Sequence, residues 1–228
     1  PDELNANIEV TGIAAVNIDI SQKLADVLPL YLGTVVILSF LLLILVFRSL
    51  IVPLVATGGF LLTVGATLGA VVAVYQFGWL SEVLGVTQAG PILSFLPILL
   101  IGILFGLAMD YQLFVVSGMR EAYVHGKSAK DSIDSGIHLG RPVVIAAAII
   151  MVAVFGGFAF SHITMIKPMG FGLAIGVLID AFLVRLLLVP ALMSVIGKAA
   201  WYLPKWLDKL LPDVDVEGAK LERSRSQA

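Results

Sequence analysis

Cysteine is absent from the 228 residues, which excludes disulfide frameworks and thiol-ligated metal sites. Charge is scarce as well: Asp, Glu, Lys and Arg make up 13% of the chain and sum to a formal -2. No overall field recruits nucleic acid or an acidic partner, so what counts is where each charge falls. The chain opens on Pro1, and its first twenty residues lack the apolar core of a secretory leader. It reads as a piece of something longer. What abounds is apolar surface, with 59% hydrophobic residues and a mean hydropathy of +1.03, far above a soluble domain.

A bilayer core roughly 30 Å thick is crossed by about 20 apolar residues in helical form, because no water is there to satisfy an open backbone. Five segments have that length, near 27–47, 51–77, 92–119, 143–160 and 169–196. The sequence therefore predicts an all-α membrane protein, a five-span helical bundle over residues 21–200. Arg48-Ser49 and Pro53 mark a tight turn, while Gly85–Pro91 and Gly136–Pro142 read as longer connections. Residues Ile8–Ile20 alternate as a strand would, with a helix starting at Asp19 or Ser21, so residues 1–20 read as the end of an extracytoplasmic α+β domain. After Trp201 the chain reads as an amphipathic stretch to Leu211 lying on the inner leaflet, followed by a polar, disordered tail.

Basic residues set the direction, since cytoplasmic loops retain them. Arg48, Arg120, Lys127, Lys130, Arg141, Lys198, Lys205 and Lys209 fall on one side; Lys23 and Lys167 fall on the other. The N-terminal segment is thereby placed outside and the C-terminus in the cytoplasm. Trp79, Trp201, Tyr202 and Trp206 stand where an interfacial aromatic belt would stand, and anchoring accounts for them.

Three charges lie within the spans: Asp110, Asp180 and Arg185. Each costs about 2.5–3.5 kcal/mol on insertion scales, so something must offset it. Asp110 precedes Arg120 by ten residues, which puts it roughly 15 Å from the cytoplasmic boundary, near the midplane. Gly102 and Gly106 lead to Asp110 at steps of four, as Gly172 and Gly176 lead to Asp180. Stripes of small residues admit a neighbouring helix closely, so each acid is expected to face protein rather than lipid. A carboxyl held dry at that depth can switch between protonated and charged forms, as a proton relay requires. Tyr111 points about 100° away from Asp110, so the two look to partners on other helices. Asp180 and Arg185 are five apart, about 140° around a straight α-helix, a poor setting for a direct pair; structural charge balance and a share in proton transfer both fit them. Thr63, Thr67 and Ser117 are expected to bond back to helix carbonyls. His125, His138 and His162 lack metal-ligand spacing, and no metal or cofactor is indicated.

The string Gly106-Leu-Ala-Met-Asp110-Tyr111-Gln-Leu-Phe-Val-Val-Ser117-Gly-Met-Arg120-Glu121 resembles the Asp-Tyr span of MMPL transporters, a branch of the resistance-nodulation-division superfamily. Gly170-Phe-Gly-Leu-Ala-Ile-Gly-Val-Leu-Ile-Asp180-Ala-Phe-Leu-Val-Arg185 and the following Leu188-Val-Pro190-Ala-Leu-Met193 resemble the last span of that family, and Phe47-Arg48-Ser49 a turn of it. Gly118 departs from the pattern, where a basic residue is frequent. The resemblance implies the last five of twelve spans, preceded by the end of a porter domain. It implies proton-driven export of a lipid or lipophilic compound, a trehalose-linked lipid in the mycolate-type members, across a bacterial plasma membrane, with protons as the coupling ion. Asp110 and Tyr111 are implied to be half of the relay, facing an Asp-Tyr pair in an N-terminal half, and Asp180 and Arg185 match further polar positions. Membrane lipids, a lipid cargo and that half are the implied partners. A membrane scaffold or lipid sensor and a proton-driven protein translocase remain as alternatives. An intramembrane aspartyl protease is disfavoured, because neither acid sits in a Tyr-Asp or Gly-x-Gly-Asp context.

Overall fold

The computed structural model describes residues 12–86 and 90–211. Five helices among them are long and apolar enough to cross a membrane, and no strand is present among the described residues. The first, α1 (Ile13–Phe47), turns at Arg48 into α2 (Ile51–Val71), which loosens into a π-helical turn over Val72–Gln76. A short α3 (Ser81–Leu84) leads to α4 (Leu96–Val124) and α5 (Ala129–Ala159). The last crossing joins α6 (Ile166–Leu178), a π-helical stretch over Ile179–Leu188 and α7 (Val189–Ile196), then a 3-10 turn at Gly197–Trp201 and α8 (Lys205–Leu210).

Five crossings stand where five apolar runs were read, but their ends differ. Helix α1 already begins at Ile13, so Ile13–Ile20 is helical rather than a strand; Ile8–Thr11, with the rest of residues 1–11, lies outside the described residues, as does the tail from Pro212 on. Gly136–Pro142 is no connection: α5 runs straight through it with Pro142 inside. The step in hydropathy marks where a helix meets the membrane edge, whereas the helix itself continues into water. At 35 residues α1 is about 52 Å long, well beyond the hydrocarbon thickness. The polar first turns of α5 are held by Ser128, whose hydroxyl accepts from the Asp131 amide at 3.2 Å and reaches its carboxylate at 2.6 Å.

Glycine sets how closely the helices pack. A Cβ on Gly136 would lie 2.6 Å from the Met119 backbone nitrogen, and one on Gly170 would lie 2.6 Å from that of Ala159. Helices α4 and α5, and α5 and α6, therefore meet backbone to backbone. Gly118 belongs to the same contact, its missing Cβ falling 3.4 Å from the Gly136 Cα. A long basic side chain there would have to be steered away from that seam.

The helix ends around Arg48 and Trp201 are knotted together. Arg48 takes a left-handed conformation at φ 45°, and Ser49, fully buried, donates to the Ala200 carbonyl at 2.6 Å while accepting from the amides of Ile51 and Val52. Arg120 donates to the Phe47 carbonyl at the end of α1. Trp201 is buried and stacks on Tyr123 at 5.2 Å, so it is a packing residue in a 3-10 turn rather than part of a belt or an amphipathic helix. Trp79, Tyr202 and Trp206 are exposed, as anchors are.

Candidate functional site

The buried charges sit on the last crossing. Pro190 offers no amide to the Leu186 carbonyl and its ring crowds that turn, and the turns just before it adopt the π form. There backbone bonds run from i to i+5, so residues five apart stack along one face. Asp180 and Arg185 profit from this: Nε of Arg185 donates to Oδ2 of Asp180 at 2.9 Å, with the two residues 2% and 3% exposed. The 140° separation of a straight α-helix does not apply, and the pair forms directly.

Other helices complete the shell. Arg185 also donates through Nη1 to Oε1 of Gln112 on α4. Thr63 on α2 donates to the Gly59 carbonyl at 3.1 Å and lies 3.4 Å from Oδ1 of Asp180, so its one proton has two acceptors in reach. Thr63 and Ser117 bond back to carbonyls as expected, whereas the buried Thr67 hydroxyl has no partner. The Gln112 amide nitrogen and the Tyr111 hydroxyl are likewise buried without partners. A polar core thus spans α2, α4 and the π stretch, and several of its groups have capacity left over.

Gly172 and Gly176 let that core close. A Cβ on Gly172 would meet Leu100 and Val71 at 3.0 Å, and one on Gly176 would meet Leu104 at 2.6 Å and the Thr67 hydroxyl at 3.0 Å. The stripe leading to Asp180 faces protein, as its spacing predicts. The one leading to Asp110 does not. Gly102 still touches α1 through the Tyr31 hydroxyl, but nothing lies within 4 Å of the Gly106 position, and Gly106, Asp110 and Phe114 form an exposed row. Asp110 therefore stands on an open face of the chain, against the expectation that it is enclosed by its own helices.

Helix geometry connects the two settings. Residues 110, 111 and 112 step round α4 by about 100° each. Asp110 is exposed, Tyr111 is buried, and Gln112 is buried on the opposite side, bonded to Arg185. Gln112 was missed in the sequence, although one signal was available: an amide in mid-span, nearly opposite the acid two residues earlier.

Comparison with known proteins agrees with this architecture. The MMPL family signature matches residues 2–210. The chain is 53% identical, over 97% of its length, to "Membrane protein YdfJ" of Bacillus subtilis, of which it covers 31%. It is 37% identical over 93% of its length to the "Mycolic acid-containing lipids exporter MmpL11" of Mycolicibacterium smegmatis, covering 22% of that protein. It is 34% identical over 88% of its length to the "Trehalose monomycolate exporter MmpL3" of Mycobacterium tuberculosis, covering 21% of it. The chain thus spans less than a third of each of these relatives. With five membrane-length helices and a family match over nearly its whole length, the chain is a multi-pass membrane protein and belongs to the MMPL family.

Proposed function

We propose that this chain is the C-terminal membrane half of a proton-driven secondary transporter that moves a lipid or lipophilic compound outward across the plasma membrane. Two relatives bear the names of exporters of mycolic acid-containing lipids and of trehalose monomycolate, which favours a lipid cargo of that class. The observation that carries the reading is the contrast on α4: a carboxylate near mid-span on an open face, with a buried Tyr111 and a buried Gln112 continuing round the same turn. A charge at that depth is costly against hydrocarbon and is found facing protein or a water-filled cavity. A companion membrane half with its own Asp-Tyr pair, covering Gly106, Asp110 and Phe114, would supply the missing polar surroundings.

In this reading Asp110 takes up a proton from the outer side, its charge disappears, and the contact across the open face relaxes. Gln112 links that event to the Asp180–Arg185 pair, because it sits on the same helix turn and holds the guanidinium. Neutralising Asp110 then alters the packing of α4 against the last crossing, and the outer domains convert that motion into cargo movement. The basic residues of the α1–α2 and α4–α5 turns face the cytoplasm, and the start of α1 faces outward.

The test is export driven by an imposed proton gradient in sealed vesicles holding the full chain with its companion half. Asp110→Asn, close in shape but unable to titrate, is expected to leave abundance unchanged and to lower gradient-dependent export about a hundredfold or more, the scale of a lost proton-transfer group. Export at the normal rate by that variant would sink the reading. Equal export with and without the gradient would instead favour a scaffold or sensor.

A further inference from the structure

At the end of the bundle opposite the Arg48 turn, Gly85, Val86 and residues 90–93 on one side and the α5–α6 connection on the other line a half-open cavity of about 390 Å³. Its walls are largely apolar, among them Val86, Ile92 and Met165, and among the described residues the polar side chains that line it are Tyr75, Thr164 and Lys167. Tyr75 lies in the π-helical turn ending the second crossing, its ring edge-on to Phe171 with centroids 5.8 Å apart. It is 7% exposed, and its hydroxyl is buried with no partner. Lys167 is half-buried and donates to the Gly85 carbonyl at 3.0 Å. That uses one of three ammonium protons, and among the described residues no carboxylate pairs with it. Phe77, Leu80 and Val83, which precede the lining residues Gly85 and Val86 in the chain, and Phe160 in the α5–α6 connection are exposed apolar side chains.

Two donors with capacity left, one of them cationic, in a hollow whose described lining is mainly apolar select a ligand that is an anion at one end and hydrocarbon at the other. The volume lies near the lower end of the usual range for ligand pockets, about 300–1,000 Å³, enough for one chain rather than two. We propose that this cavity binds an anionic amphiphile, with a single apolar chain inside and its carboxylate or phosphate on the Lys167 ammonium and the Tyr75 hydroxyl. The site stands independently of the proton coupling proposed above and uses none of its residues.

Photo-crosslinking of the full chain in nanodiscs tests this, with three diazirine-bearing probes: palmitate, phosphatidylglycerol and the uncharged hexadecanol. Label read by peptide mass spectrometry is expected at Pro91–Leu93 and Thr164–Met165, about tenfold above the exposed mid-span Leu187, and unlabelled palmitate should displace it. Lys167→Gln should lower it about tenfold, Lys167→Arg should keep most of it, and Tyr75→Phe should lower it about threefold, as loss of one charged and one neutral hydrogen bond would. Label from palmitate alone assigns a free single-chain acid, and label from phosphatidylglycerol alone assigns a membrane phospholipid; either supports the shared chemistry. Should Lys167→Gln not accumulate, displacement by palmitate but not by hexadecanol on the unaltered protein decides the matter. Equal labelling by hexadecanol, or label no stronger than at Leu187, overturns the proposal. Asp110→Asn should leave the labelling unchanged, which separates failure here from failure of the transport reading.

Discussion

The molecule contains the same device twice, and the two copies end in opposite surroundings. On α4 the row Gly102, Gly106, Asp110 runs from a contact with Tyr31 out onto an open face; on the last crossing the row Gly172, Gly176, Asp180 is sealed by Leu100, Leu104, Val71 and Thr67. Spacing alone is identical. A small-residue stripe therefore states that a helix can be approached closely, not which helix approaches it. Asp180 has its counter-charge five residues away on its own crossing, which offsets its burial within this chain; the nearest cation to Asp110 on α4 is Arg120, ten residues on, and the transport reading supplies its partner from a companion half.

The largest effect expected from disturbing this contrast is at Arg185. Replacing it by Met leaves the Asp180 carboxylate buried without its cation, a loss of about 3–5 kcal/mol in comparable buried pairs. Thermal unfolding of the purified chain in detergent should show a clear drop, and the double replacement Asp180→Asn, Arg185→Met should recover much of it. If the single change leaves stability untouched, the pair is not the closed half of the comparison. Asp110→Asn in the same assay should move stability by less than about 0.5 kcal/mol, as surface changes do.

How much of this was legible beforehand depends on the kind of information. The five crossings could be read because apolar length is a local property that the bilayer demands. Helix ends could not be read from it: Ile13–Ile20 and Gly136–Pro142 carry turn-like or alternating residues, yet both lie inside helices that extend past the membrane edge. The acids themselves were visible as rare charges in apolar runs. Their environments were not, since the π geometry that unites Asp180 with Arg185 changes the angular step on which the sequence argument rested. Gln112 and Thr63 acquire meaning only once α2 and α4 are laid beside the last crossing.

A middle-sized effect is expected where the glycines are covered. Ala at position 176 brings a methyl to within 2.6 Å of a Leu104 methyl and 3.0 Å of the Thr67 hydroxyl. Leu104 can swing part of the way, so Gly176→Ala should cost about 1–3 kcal/mol, the range of modest overpacking. Gly136→Ala should fall at the upper end of that range, because its nearest neighbours include the Met119 backbone at 2.6 and 2.9 Å, which no rotamer change can move. Unfolding curves for these two variants in one detergent would rank them, and a reversed order would mean that the helix seams adjust more readily than the side chains between them.

The smallest effect, and the most discriminating, belongs to Gly106. Nothing lies within 4 Å of the position its Cβ would take, and Ala favours a helix over Gly by about 0.8–1.0 kcal/mol at exposed sites. Gly106→Ala should therefore leave the isolated chain as stable or slightly more so. Gly106→Leu should do the same there, since the side chain has open space to enter. With a companion membrane half packed across Asp110, the result should invert: the Leu variant should weaken co-purification of the two halves, while the Ala variant is tolerated or nearly so. Unchanged association in the Leu variant would mean that the open face of α4 is not where the second half docks, and that Asp110 finds its polar surroundings elsewhere.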